Sequence, residues 1–221
     1  MLKKILESLG FVPFPKEPCL FLYRTGVDWI LLAVYVDDLL SIASNDQLDI
    51  WLVQKMKSHL GEDYKDLGRA TLVLGITVER SLVAGVRIVK LSQPVLVREI
   101  LNKYDFVDKI VDSPYGKGVE LLKPLELGKA NPAFRTLLAS IVGSLNYLAS
   151  GTYPQFAWVC HRISSVMHSP PPEALVCAKR VLQYLNTDPN SGIEFRTSEP
   201  PISLFQAGVG VSPGDFQHLR I

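Results

Sequence analysis

Residues 29–43 read WILLAVYV, then DD, then LLSIA: an apolar run split by two adjacent carboxylates, with no charge at 30–36 or 39–43. Short apolar runs bounded by turn residues read as buried strands, and Gly26, Val27 and Asp28 supply a turn before the first run. The simplest arrangement is a β-hairpin, buried on its flanks, with Asp37 and Asp38 at its tip. Carboxylates set among apolar residues are costly to desolvate without a cationic partner, and a divalent metal ion is one such partner. The competing reading is a solvated β-turn, because Asp is a common turn residue.

Around this hairpin the pattern alternates between strand and helix. Apolar positions 2, 5, 6 and 9 form a helical stripe that stops at Gly10. Pro13, Pro15 and Pro18 predict a loop, and 20–23 a short strand. Residues 46–60 place apolar side chains on one helix face, with Asn45 or Asp46 as N-cap and Gly61 as stop. TLVLGITVE (71–79) and VRIVKL (86–91) predict two strands joined at Ala84-Gly85, and 93–104 a further helix. Residues 111–131 lack a period and read as a linker. Three helices follow, over 133–149, 154–168 and 172–187, with Pro170-Pro171-Pro172 separating the last two. A strand at 192–196 and an apolar stretch at 202–211 finish the chain. The fold class is α+β.

Composition bounds the rest. With 221 residues and 48% hydrophobic content the chain can bury a sizeable core. Lys+Arg 23 against Asp+Glu 22 leaves a net charge of +1, so bulk charge points to no polyanionic partner, and a basic groove would have to be local. Cys19, Cys160 and Cys177 are odd in number, widely spaced and set among apolar neighbours, the pattern of buried thiols rather than of a disulfide framework or a zinc site. The longest apolar stretch, 29–36, is too short to cross a bilayer, so no membrane partner is expected. The expectation is a soluble, intracellular protein.

Several ordered motifs carry a resemblance. Tyr35-Val36-Asp37-Asp38 is followed by a helix, then KDLG (65–68), LGI (74–76), LSQ (91–93), SIVGSLNYL (140–148), Thr152-Tyr153-Pro154 and AKRVLQYLNT (178–187); LGF and PCLF stand upstream within 9–21. In this order, over about residues 2–196, the chain resembles the reverse transcriptase of copia-type LTR retrotransposons, an RNA-directed DNA polymerase carried on a Pol polyprotein. The resemblance implies a nucleotidyltransferase with a partial right-hand polymerase palm (β-hairpin, helix, antiparallel strands) followed by an α-helical thumb and connection. On that reading 1–110 is partial palm with the start of the thumb and 111–131 the linker. Residues 132–188 are then thumb and connection, and 189–221 the degenerate start of a ribonuclease H-like segment. Asp37 and Asp38 are the implied catalytic residues and ligands of Mg²⁺ or Mn²⁺, in a two-metal site of which this chain holds half. Tyr35 and Val36 would lie near the primer terminus, Lys65 near the incoming triphosphate, and Leu74 and Gly75 in the grip on the primer strand. The implied partners are an RNA or DNA template with its primer and a dNTP, in a cytoplasmic retrotransposon particle or the nucleus.

The chain also departs from the family's pattern. The palm's other aspartate, expected on an earlier strand, has no counterpart here; Asp28 reads as a turn residue. Gly208-Val209-Gly210 stand where the ribonuclease H segment carries an acidic triplet, and Thr152-Tyr153-Pro154-Gln155 replaces the usual T-R-P-D. The expectation is a C-terminal piece of the polymerase, inactive by itself. The alternatives are a non-catalytic retroelement remnant that at most binds nucleic acid, and an unrelated α+β interaction module. Arg162, Lys179 and Arg180 fit solvated helix faces better than phosphate contacts, and Tyr147, Trp158 and Tyr184 fit the core better than base-stacking platforms. His161 and His168 receive no role.

Overall fold

The computed structural model describes residues 1–104, 110–126, 131–196 and 219–220. Its described part is mixed α and β, with six α-helices and two antiparallel sheets. The chain divides into two compact units: Met1–Val73 with Val78–Val89 and Phe195–Ile221, and Leu74–Thr77 with Lys90–Glu194.

The first unit opens with helix α1 (Leu2–Ser8) and then strands β1 (Val12–Phe14), β2 (Glu17–Thr25), β3 (Asp28–Tyr35) and β4 (Asp38–Ala43). With β9 (Leu219–Arg220) they form a sheet in the order β1-β2-β3-β4-β9. Register explains the burial. Phe21 stands opposite Leu32 and Leu32 opposite Ser41, while Ile30 stands opposite Ala43, so these side chains share one face, and all are buried. Against them pack Leu6 and Phe11 and, from helix α2 (Asp46–Leu60), Leu52 and Met56. Each such apolar side chain contributes about 1.5–3 kcal/mol on burial.

The Pro-rich segment departs from the expected loop. Pro13 lies in β1 and Pro18 in β2. β1 is an edge strand with an irregular register at Pro13/Phe14, the place where a residue without an N–H does least harm to a sheet.

The start of α2 is tied to the start of β3. The Asn45 side chain accepts from the Leu48 amide at 2.9 Å and donates to Asp28 Oδ1 at 2.9 Å, and Ser44 Oγ donates to the same oxygen at 3.2 Å. Asp28 is therefore a structural anchor. The helix then runs its 15 residues, about 22 Å at 1.5 Å per residue, beside a strand of 8 residues, about 26 Å long at roughly 3.3 Å per residue. Gly61, at φ +61°, ends it. A helix anchored at one end of β3 and nearly as long as that strand delivers its C-terminus to the other end.

Strands β5 (Leu72–Val73), β6 (Ile76–Val83), β7 (Val86–Ser92) and β8 (Gly192–Arg196) make the second sheet, in that order. The turn at Ala84-Gly85 and the strand at 192–196 stand as expected. The single strand expected over 71–79 is broken: Leu74 and Gly75 take φ +48° and +79°, a two-residue hairpin turn with both central residues left-handed.

The second unit is built on α3 (Pro94–Tyr104), α4 (Pro132–Gly151), α5 (Ala157–Ser165) and α6 (Pro172–Thr187). Its core includes Val97, Leu138, Leu145, Phe156, Ile163 and Leu182. Asn131 caps α4 by accepting from the Ala133 amide at 2.9 Å, with Pro132 in the first turn. In the stretch read as a linker, Val119 and Leu122 are buried in this core. Arg162 Nη2 donates to the Glu120 carbonyl at 3.0 Å and Arg180 Nε to that of Tyr115 at 2.9 Å, so both guanidiniums hold down this segment. Tyr147 and Trp158, expected in the core, are 57% and 46% exposed. Tyr184 does pack against the core. Cys160 and Cys177 are buried, but Cys19 is exposed, because β2 turns it to solvent beyond the residues paired with β3. No described helix is long and apolar enough to cross a membrane. The apolar stretch 202–211, with Gly208-Val209-Gly210, lies outside the described residues.

Replacing the Asn45 cap tests the anchor. Asn45→Ala is expected to lower the unfolding free energy of the first unit by about 1 kcal/mol, read from urea denaturation. Alkali tests the second unit. Burial raises the Cys160 thiol from 9.0 to about 12, and burial, then Asp188 and Tyr184, raises the Tyr153 phenol from 10.0 to about 12. Both groups fold neutral, so their contribution is complete below their ordinary values and is lost as pH climbs from about 9 towards 12. Denaturation midpoints of this unit should fall over that window and stay level with respect to these groups below it.

Candidate functional site at the acidic hairpin tip

Tyr35 and Asp38 are partners across the β3–β4 hairpin, which leaves Val36 and Asp37 as its entire loop. Val36 has φ +53°, and Asp37 is not left-handed. That is the sign pattern of a type II′ turn, whose first central position ordinarily belongs to glycine. The neighbouring β2–β3 hairpin obeys the rule: Thr25 pairs with Asp28, and Gly26 takes φ +62°. The acidic hairpin puts a β-branched residue in the same place. A left-handed conformation costs an L-residue about 1–2 kcal/mol, and a β-branched one is an outlier. Strain of this kind clusters where a side chain must be aimed.

The tip is in solvent. Tyr35 is 60% and Val36 81% exposed, and Asp37 and Asp38 are exposed as well. This corrects the desolvation argument drawn from the apolar run. The run is buried along its strands, but the carboxylates lie beyond the end of the covered face, where water solvates them.

Val36, Asp37 and Asp38 line a cleft of about 510 Å³ together with Leu39, Leu60, Asp63, Tyr64, Lys65 and Leu67, and with Met1 and Leu2 of the N-terminal helix. The return of α2 to this end of the sheet brings Leu60 here, and the turn after Gly61 carries Asp63, Tyr64 and Lys65 in behind it. Leu39, Leu60 and Tyr64 also pack against the core, which anchors this wall. The lining side chains include three carboxylates and one ammonium group, an acidic balance that favours cations.

Of the residues singled out from sequence, Val36, Asp37, Asp38 and Lys65 meet in this cleft. Tyr35 sits at the end of β3, outside its lining. Leu74 and Gly75 belong to the other unit, where Tyr147 donates its hydroxyl to the Leu74 carbonyl at 3.4 Å. Asp63 and Tyr64 were missed; their only sequence signal is their position just before KDLG.

Asp37 and Asp38 offer hard oxygens, and Mg²⁺ is commonly held by one or two carboxylates plus water and substrate phosphates. Among the described residues, no three His, Cys, Asp or Glu side chains are gathered so as to hold a metal ion, so Asp63 does not complete a ligand set. The pair fits the metal as a partial donor set.

If the Val36 backbone is strained, glycine should relieve it. Val36→Gly is expected to raise stability by about 1 kcal/mol, and Gly26→Val to lower it by about 1–2 kcal/mol, by thermal or urea unfolding. A Cβ at Gly26 meets nothing within 4 Å, so that loss would be conformational rather than steric.

No family model and no solved structure matches the chain. Among curated proteins it is 32% identical over 195 residues to the Retrovirus-related Pol polyprotein from transposon RE1 of Arabidopsis thaliana, covering 87% of this chain and 12% of that protein. It is 27% identical over 202 residues to the corresponding polyprotein from transposon TNT 1-94 of Nicotiana tabacum, covering 88% and 15%. The Arabidopsis polyprotein from transposon RE2 is 32% identical over 195 residues, covering 87% and 13%. The chain thus spans between 12% and 15% of the length of these relatives. Over most of its own length, it is similar to a segment of retrotransposon Pol polyproteins.

Proposed function

We propose that this chain is a reverse transcriptase segment of a copia-type retrotransposon Pol polyprotein: palm around the acidic hairpin, thumb and connection in the helical unit. The observation that carries the reading is the strained turn that holds Asp37 and Asp38 at the mouth of a cleft shared with Lys65, in a stretch similar to Pol polyproteins.

On this reading Asp37 and Asp38 hold Mg²⁺ or Mn²⁺. When bound, such ions would supply electrostatic stabilisation of the attacking and leaving oxygens of nucleotidyl transfer. The protein's own part is positioning. The turn aims both carboxylates, Lys65 presents its ammonium to the triphosphate, and Tyr35 and Val36, exposed at the tip, flank the primer terminus. Leu74 and Gly75 take the primer-strand grip, with the Leu74 carbonyl held by Tyr147. Because two carboxylates are half of such a centre and positioning supplies much of the catalysis, the 221 residues are not expected to polymerise alone.

The test is a chimaera. The matching segment of a relative's Pol polyprotein is replaced by this chain, and extension of a primed RNA template is measured with Mg²⁺ or Mn²⁺. Extension that Asp37→Asn reduces to background is the expected result. Extension indifferent to Asp37→Asn would contradict the reading. A chimaera that binds primed template without extending it would favour the non-catalytic remnant.

A further inference from the structure

Arg80, on β6, turns its guanidinium into the first unit. Nη1 donates to the Ala70 carbonyl at 2.6 Å. Nε and Nη2 are buried and meet no acceptor among the described residues. Burial and, after it, the cationic neighbour Arg69 make the guanidinium easier to deprotonate than usual. Arg69 is exposed. Among the described residues neither arginine forms an ion pair.

Buried, unfilled donors on a half-buried cation beside a second cation are an unfavourable arrangement, and native proteins resolve it with an acceptor. The arrangement asks for negative charge, and for several acceptor atoms at once. A guanidinium presents its donors as a planar fork, and two forks suit a tetrahedral oxyanion better than a single-atom anion such as chloride. We propose that Arg69 and Arg80 form an anion-binding site that takes a phosphate group.

The site has a consequence for the cleft, although it stands whether or not the acidic tip is catalytic. Ala70, held by Arg80, ends a short segment whose turn is closed by the Gly68 amide donating to Asp66 Oδ1 at 2.9 Å. The same segment carries Leu67 and Lys65 into the cleft lining. A phosphate on Arg80 would fix the base from which Lys65 extends.

Isothermal titration of the 221-residue chain with inorganic phosphate, at constant ionic strength, tests the proposal. One saturable site is expected, weakened by at least about tenfold in Arg69→Gln and in Arg80→Gln. Thermal unfolding adds a reversal of sign. Without phosphate Arg69→Gln should be more stable than the wild type, because it removes a like charge, and at saturating phosphate the order should invert. Short thymidine oligonucleotides with and without a 5′-phosphate separate the sources. Binding of the phosphorylated form alone assigns the site to a terminal or free phosphate, and equal binding of both to a phosphodiester. Absence of saturable binding of phosphate and of both oligonucleotides overturns the proposal. So does affinity unchanged in Arg69→Gln, an exposed substitution that leaves folding intact even if Arg80→Gln does not.

Discussion

The hairpin turn between Tyr35 and Asp38 is fixed by the sheet behind it. Phe21, Ile30, Leu32, Ser41 and Ala43 must all face the helices, and a slip of one residue would turn each of them to the opposite face. With the register held by that burial, two residues remain to close the hairpin, and the geometry demands a left-handed first position. Val36 occupies it against its preference. The energy that holds the acidic tip in shape therefore comes from the core beneath it, not from contacts of the tip itself.

The cleft beside the tip follows from a match of lengths. Asp28, Ser44 and Asn45 lock the start of α2 to the far end of β3, and the helix is long enough to return almost the whole strand. Its C-terminus and the segment after Gly61 then have one place to go, beside Asp37 and Asp38. Lys65 reaches the cleft for that reason. Arg80 holds the further end of the same segment through Ala70, so two distant anchors, one at each end, set where this wall lies.

How much of this could be read from sequence depended on whether the deciding interaction was local. The α2 helix and its Gly61 stop are local and legible, whereas the choice of Asn45 over Asp46 as cap is settled only by the Asn45–Leu48 bond. The hairpin was legible too, since two apolar runs around an acidic pair have few other solutions. The exposure of the carboxylates was not, because hydropathy marks a strand without showing where its covered face ends. The break at Leu74 was hidden too: a leucine gives no sign of φ +48°. Pro13 could be placed in a strand only once that strand was known to be an edge. The outward turn of Trp158 and the use of Arg162 and Arg180 as clamps depend on which helix face meets which neighbour. The unfilled donors of Arg80 have no sequence signature at all.

We propose that the strained tip holds a divalent ion between Asp37 and Asp38. The most direct test is Mn²⁺ titration of the ¹⁵N-labelled chain, followed by paramagnetic broadening of backbone amides. Broadening concentrated on 35–39 and on the facing segment 63–67, and lost in Asp37→Asn, is the expected result. Broadening spread over unrelated acidic residues, or undiminished in that variant, would contradict it.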